Sequence, residues 1–172
     1  MYNSETTGFL RPHYLIFSTI LKNTEMDKFS SEKRSQIMAK VKGKDTKPEL
    51  VVRRLVSAMG YRYRLHRKDL PGKPDLAFIG RKKVVFVNGC FWHQHPNCKR
   101  AVRPTTNQSF WNGKLNRNIE RDRQALADYA RMGWEVLTIW QCEIKNLDDL
   151  QSRLADFLGP PPNHKSRSST SH

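Results

Sequence analysis

Apolar residues recur first with helical spacing, then with sheet spacing, then with helical spacing again. Ser30 or Ser31 can cap a first helix running to about Val41, with Ile37, Met38 and Val41 on one apolar stripe. Thr46-Lys47-Pro48-Glu49 reads as a capping box with Pro in the first turn. The helix it opens places Leu50, Leu55 and Met59 inward and stops at Gly60. Tyr61 to His66 (YRYRLH) alternates with period two, the pattern of a half-exposed strand. Asp69 to Pro74 is a turn carrying two Pro and one Gly. Asp75 to Ile79 predicts a short strand, Gly80-Arg81 a turn, and Lys83 to Asn88 (KVVFVN) a mostly apolar, central strand.

From Gly89 to Thr106 no period holds. Gln108 to Met132 is a long helical pattern, weakened at Asn112-Gly113 and ended by Gly133. Trp134 to Trp140 (WEVLTIW) reads as another buried strand, and Asn146 caps a last helix with Leu147, Leu150, Leu154 and Phe157 apolar. The predicted order α-α-β-β-β-α-β-α describes an α/β fold with a mixed sheet flanked by helices. The long helix provides the crossover between parallel strands. Neither G-x-G-x-x-G nor G-x-x-x-x-G-K-[ST] occurs, so nucleotide-cofactor chemistry has no support.

The patterned stretch defines one domain over residues 26–158. Residues 1–25 precede a second Met at position 26 and read as an N-terminal extension outside the fold. Within them Tyr14 to Leu21 (YLIFSTIL) is apolar, but Glu5 precedes it and no A-x-A cleavage pattern follows, so a signal peptide is not expected. Residues 159–172, GPPPNHKSRSSTSH, read as a Pro stop and a disordered polar tail.

Charge narrows the partners. The 172 residues carry 31 Lys and Arg against 16 Asp and Glu, a net +15. Solubility asks only for about 2–8 charges in a small domain, so the excess implies a polyanion. Nucleic acid is the first candidate and an anionic membrane surface the second. No run of apolar residues is long enough to span a membrane. Three Cys is an odd number, which fits a reducing cytosol with thiols free or metal-bound better than a disulfide framework.

Four constellations carry chemistry. Cys90, His95 and Cys98 form C-x4-H-x2-C, and Cys142 follows the strand that ends at Trp140. Three Cys and one His match a closed structural zinc site. The alternative is three unrelated buried thiols, but clustering with His in a loop lacking other support favours zinc. Pro74-Asp75 opens a strand, where a carboxylate with backbone and phosphate oxygens can hold Mg²⁺. Alone it reads as a turn carboxylate. Phe91, Trp92 and Trp111 are either wedges that unstack bases or a small satellite core, and Phe110 reads as core. Basic runs over Ser31–Lys44 and Lys99–Arg123 bracket the Cys/His loop, and Lys114, Asn118 and Arg121 fall on one helical stripe. Lys and Asn read base edges as well as phosphates. Glu49 is explained by the capping box. His93 is either a general acid or base or a spare histidine of the metal cluster.

The strings PGKPDLAF, VVFVNGCFWHQHPNC, FWNGKLNRNIERDRQ and GWEVLTIWQCE resemble the very short patch repair (Vsr) DNA mismatch endonucleases. The resemblance runs from about Phe29 to Leu158. It implies a restriction-endonuclease-like PD-(D/E)xK core and a Mg²⁺-dependent nuclease acting as a monomer on double-stranded DNA. Such an enzyme nicks one strand 5′ to the T of a T:G mismatch left by 5-methylcytosine deamination and hands the nick to downstream repair proteins in the bacterial cytoplasm.

By position, Asp75 resembles the metal-bridging carboxylate. Val87 sits where a backbone carbonyl binds Mg²⁺, His93 matches the active-site histidine, and Glu49 matches an acidic residue nearby. Cys90, His95, Cys98 and Cys142 match the structural Zn²⁺ set. Phe91, Trp92 and Trp111 match the major-groove wedge, Met38 a residue entering from the minor-groove side, and Lys114 and Asn118 mismatch readers. Asn88 stands where several members carry a second active-site His, and Asn cannot shuttle protons near pH 7. Gln94 interrupts the His run, and Pro96-Asn97 lengthens the loop.

Overall fold

The computed structural model describes residues 44–161. The first predicted helix with Met38, the N-terminal extension and the tail beyond residue 161 lie outside the described residues.

Helix α1 spans Lys47–Ala58. Thr46 caps it, accepting from the Glu49 backbone N–H at 3.5 Å, with Pro48 in the first turn. Its buried stripe is Glu49, Val52, Arg53 and Val56, while Leu55 and Met59 pack partly against the core. Leu50, expected inward, is only half-buried. The stripe therefore carries an ion pair, Glu49 with Arg53, into the interior.

Tyr61–His66 does not form a strand. Only Arg64 pairs, antiparallel with Ala77. Tyr61 is drawn into the core and its hydroxyl donates to the Gly159 carbonyl. Leu65 breaks the alternation by pointing outward, and His66 turns to φ 51°, ending the extended run.

The sheet has three strands in the order β1 (Leu76–Phe78), β2 (Lys83–Asn88), β3 (Glu135–Trp140). β1 and β2 are antiparallel with Leu76 opposite Val85. β2 and β3 are parallel, from Lys83 opposite Glu135 to Asn88 opposite Trp140. The 24-residue helix α2, Gln108–Arg131, connects them and passes Asn112-Gly113 unbroken. Helix α3, Leu147–Leu158, follows β3 and is capped by Asn146, which accepts from Asp149 N–H at 3.2 Å.

Both faces of the sheet are covered, which is why β2 reads as a nearly continuous apolar run. On one face Leu76, Phe78, Val85, Val87 and Ile139 pack against Val52 and Val56 of α1 and Leu150, Leu154 and Leu158 of α3. On the other, Ala77, Val84 and Phe86 meet Tyr129 of α2. Each fully buried aliphatic side chain contributes about 1.5–3 kcal/mol. The Tyr129 hydroxyl also donates to Pro71 O at 2.9 Å, tying α2 to the turn that precedes β1. No helix among the described residues is long and apolar enough to cross a membrane.

Candidate active site and metal-ligand cluster

Asp75 ends the Pro-Gly-Lys-Pro turn, where Gly72 and Lys73 take φ of 67° and 55°. Its Oδ2 accepts the Val87 backbone N–H at 2.7 Å. The ladder explains this contact. The last β1–β2 pair is Leu76 with Val85, so Val87 lies two residues beyond the end of β1. The Asp75 side chain replaces the missing backbone acceptor. A strand residue presents its N–H and C=O on the same side, so the Val87 carbonyl lies on the Asp75 edge. Among the described residues Oδ1 of Asp75 receives no hydrogen bond. A carboxylate beside a backbone carbonyl is the hard oxygen donor set that suits Mg²⁺. Burial pushes the Asp75 carboxyl up to about 6, against the pull of the Val87 N–H; Glu49 pushes it further up, and Arg53 and His66 pull it down.

Glu49 does more than cap a helix. It is 6 % exposed; its Oε2 accepts from Asp45 N–H and from Arg53 Nη2, both at 3.0 Å, and its Oε1 from the Thr46 hydroxyl at 2.8 Å. Arg53 also reaches Asp45 Oδ1 at 2.5 Å, and its buried Nε has no partner among the described residues. His66 Nε2 stands 3.8 Å from the same Asp45 oxygen. Sequence reading missed Arg53. The signal was its i, i+4 spacing from Glu49 on the stripe that also holds Val52 and Val56.

His93 Nδ1 lies 2.5 Å from Asp122 Oδ2 of α2. This contact fixes the ring and leaves Nε2 as the second nitrogen. His93, Asp122 and Asn88 line one cavity of about 360 Å³ between the sheet and α2, together with Phe86, Thr138 and Trp140. His93 is therefore not a spare ligand of the Cys/His cluster. Asp122 was not foreseen, because 29 residues separate the partners. Both halves of the candidate site are tied to the end of β2: Asp75 through Val87, and His93 through the cavity it shares with Asn88.

Cys90, His95, Cys98 and Cys142 converge, with their ligand atoms all within 4.8 Å of one another. His95 Nδ1 is 3.3 Å from Cys142 Sγ, and the imidazole stacks on Trp140 at 4.2 Å with 8° between planes. Turns build the cluster: His95 N–H donates to Cys90 O, and Cys98 N–H to His95 O. Gln94 and Asn97, the residues that interrupt and lengthen the loop, sit at φ 50° and 57°. The Arg100 backbone N–H pulls the Cys98 thiol down, while burial and the neighbouring thiols push Cys142 up to about 11. Such crowded sulfurs are what a cation relieves, and a tetrahedral Zn–S length of about 2.3 Å fits this spacing. The four residues could hold a metal ion.

Phe91, Trp92 and Trp111 form one aromatic cluster, with Phe91 5.0 Å from Trp92 and 5.6 Å from Trp111 between centroids. Trp111 is buried beneath the other two, which are half-buried. Phe110, read as core, is 52 % exposed, because α2 turns its neighbour Trp111 inward instead. Lys114 Nζ lies over Trp92 at 5.1 Å. Asn118 donates from Nδ2 to Trp92 O at 3.0 Å and accepts from Arg121. Lys114, Arg117, Asn118 and Arg121 line an open groove of about 770 Å³ along α2.

A carboxylate beside a backbone carbonyl, a histidine held by a second carboxylate and a groove lined by Lys114, Arg117 and Arg121 make up a candidate hydrolytic site. The comparisons carry this further. The profile of the family described as DNA mismatch endonuclease Vsr matches residues 26–100. The type II nicking enzyme V.XorIIP of Xanthomonas oryzae pv. oryzae is 45% identical over 134 residues, covering 78% of this chain and 98% of that protein. The type II nicking enzyme V.NmeAIP of Neisseria meningitidis serogroup A is 40% identical over 128 residues, covering 74% and 91%. The DNA mismatch endonuclease Vsr of Escherichia coli (strain K12) is 34% identical over 117 residues, covering 68% and 74%. The chain belongs to the Vsr family of DNA endonucleases.

Proposed function

We propose that this protein is a DNA mismatch endonuclease that nicks one strand 5′ to the T of a T:G pair and so starts very short patch repair of deaminated 5-methylcytosine. The reading includes a PD-(D/E)xK-type core, of which β1 and β2 with Asp75 are the catalytic edge. The observation that carries it is the Asp75 carboxylate seated on Val87 N–H at 2.7 Å, beyond the end of β1, with a carbonyl on the same edge.

In this reading Asp75 and the Val87 carbonyl hold Mg²⁺, which when bound acidifies water and neutralises charge building on the phosphate. Glu49 is near enough to push the Asp75 carboxyl up and supplies a second carboxylate toward that edge. His93, held at Nδ1 by Asp122, takes a proton at Nε2. Asn88 stabilises a phosphate oxygen by hydrogen bonding and moves no proton, so His93 alone does the proton transfer. Cys90, His95, Cys98 and Cys142 hold Zn²⁺ as a closed structural site that braces the loop bearing Phe91, Trp92 and His93. Phe91 and Trp92 wedge between base steps with Trp111 as their floor, and Lys114 and Asn118 face the mismatch. Met38, outside the described residues, enters from the minor-groove side.

A second reading is a strand-nicking enzyme of other specificity, favoured by relatives named type II nicking enzymes. One assay separates the two: a labelled duplex with a single T:G pair, and its T:A counterpart, each with Mg²⁺ or EDTA. One nick beside T, only with the mismatch and Mg²⁺, is the expected result. Equal cutting of both duplexes establishes the second reading, and binding without cutting removes the enzymatic one.

A further inference from the structure

The four-residue arc between Cys90 and His95 is tied to α2 at every position, directly at three and through one intermediary at the fourth. Phe91 packs its ring on Trp111, Trp92 O accepts from Asn118, and His93 meets Asp122. Gln94 contacts the helix through one intermediary, Arg103. The Arg103 guanidinium donates Nε to Gln94 Oε1, Nη1 to Asn112 Oδ1 and Nη2 to Asn116 Oδ1, each at 2.8 Å. Gln94 itself donates from Nε2 to Phe91 O at 2.7 Å, closing the arc on itself. Its backbone is left-handed at φ 50°, a conformation that non-glycine residues hold only when their surroundings fix it.

All three acceptors of Arg103 are neutral amides. No carboxylate among the described residues pairs with it, so an ion pair does not explain its placement. What three divergent donors accomplish is geometric: a planar fork locks the loop side chain against two residues one turn apart on α2. Lysine carries the same charge but cannot make this contact.

We infer that Arg103 is a positioning residue, clamping the Phe91–Gln94 arc to α2 so that the aromatic wedge moves as one body with the Lys114/Asn118 face, while His93 keeps its own tie to Asp122. The inference rests on the wedge reading above. Mismatch reading on α2 and wedging by Phe91 and Trp92 are then mechanically coupled through Gln94 and Arg103.

The test compares the full chain with Arg103→Met, Arg103→Lys and Gln94→Ala on three Mg²⁺-containing substrates. These are the T:G duplex, the T:A duplex, and a duplex already unpaired by a short bubble at the same T. Unmodified protein is run first; failure to nick the T:G duplex there refutes the proposed function, independently of the clamp. Arg103→Met, Arg103→Lys and Gln94→Ala are each expected to nick the T:G duplex about tenfold or more slower, the scale of a small misplacement. On the bubble, where no wedging is needed, their rates should return to within about threefold of unmodified protein. Zinc content and melting temperature, read alongside, establish that each variant is folded. Arg103→Lys acting like the unmodified protein would show that charge alone matters and overturn the clamp. Equal loss on the bubble by folded variants would also overturn it.

Discussion

Asp75 and Val87 are joined side chain to backbone, with Oδ2 of one accepting the N–H of the other at 2.7 Å just before β1 begins. The contact does two opposing things. It places the carboxylate at the sheet edge, and it holds the carboxylate where burial raises its pKa to about 6. Between the ordinary value of 3.8 and about 6 the folded protein binds the Asp75 proton more tightly than the unfolded chain does. Stability from this group is therefore fully present at low pH, falls as pH rises through that window, and is gone above it. Asp75→Asn should abolish nicking while raising the melting temperature in EDTA at pH 8, a gain in stability of at most about 3 kcal/mol. Retained nicking removes Asp75 from the chemistry; a lower melting temperature at pH 8 removes the burial argument.

The His93–Asp122 pair predicts a different signature. Asp122→Asn keeps the size of the side chain but loses the charge that orients the ring. Nicking should fall about 10²–10⁴-fold for His93→Ala, the usual range for general acid–base catalysis, and by less for Asp122→Asn. DNA binding in EDTA, followed by gel shift, should stay within about twofold. A variant pair with unchanged single-turnover rates would place the proton transfer elsewhere.

Much of this site is legible in the chain because local chemistry sets it. The capping box at Thr46, the β2 run Lys83–Asn88 and the Cys90–Cys98 spacing all appear where expected. What escapes is non-local. Asp122 reaches His93 across 29 residues, and no periodicity encodes that contact. Tyr61–His66 alternates like a strand, but β1 is three residues long and gives it only the Arg64–Ala77 bridge. Phe110 and Trp111 are adjacent aromatics on α2, and only the rotation of the helix decides that Trp111 goes in and Phe110 out. Arg53 hides in the same way, a charge on a buried face whose need for a partner shows only once Glu49 is seen buried beside it.

The Cys/His cluster predicts about one zinc per purified chain, read by elemental analysis, given four closed ligands. Cys142→Ser removes the member of the cluster that follows β3. It should lower zinc content and expose amides of residues 90–98 to hydrogen exchange, while β2 and α3 stay protected. A metal-free protein with a fully protected loop would contradict a structural metal here.

Glu49 and Arg53 are both buried, so removing one strands the other. Arg53→Met should destabilise by about 3–5 kcal/mol, the range for a broken buried pair. The double variant Glu49→Gln with Arg53→Met removes both charges and should recover a good part of that loss, while nicking stays impaired because the carboxylate beside Asp75 is gone. Urea melts of the two variants decide it. If the double variant is no more stable than the single, the buried charge was not the source of the loss.

Gly72 sits at φ 67° in the turn that delivers Asp75, and a Cβ built there would lie 2.9 Å from Ala125 Cβ and 3.2 Å from Phe86 Cζ. Two separate costs follow for Gly72→Ala. The left-handed backbone costs about 1 kcal/mol or more, and overpacking against α2 and β2 costs about 1–3 kcal/mol. Phe86 is packed in the sheet and Ala125 is a buried helix position, so neither neighbour yields easily. Gly72→Ala should therefore melt lower and nick more slowly, since the turn both packs on α2 and aims Asp75. Ala125→Gly removes the closer of the two clashes. In a double-mutant cycle it should restore part of the stability lost in Gly72→Ala, beyond its own cost of about 1 kcal/mol as a helix glycine. The part not restored measures the backbone and Phe86 terms. Strict additivity would mean that the two residues do not meet, and the turn would then need another explanation for its glycine.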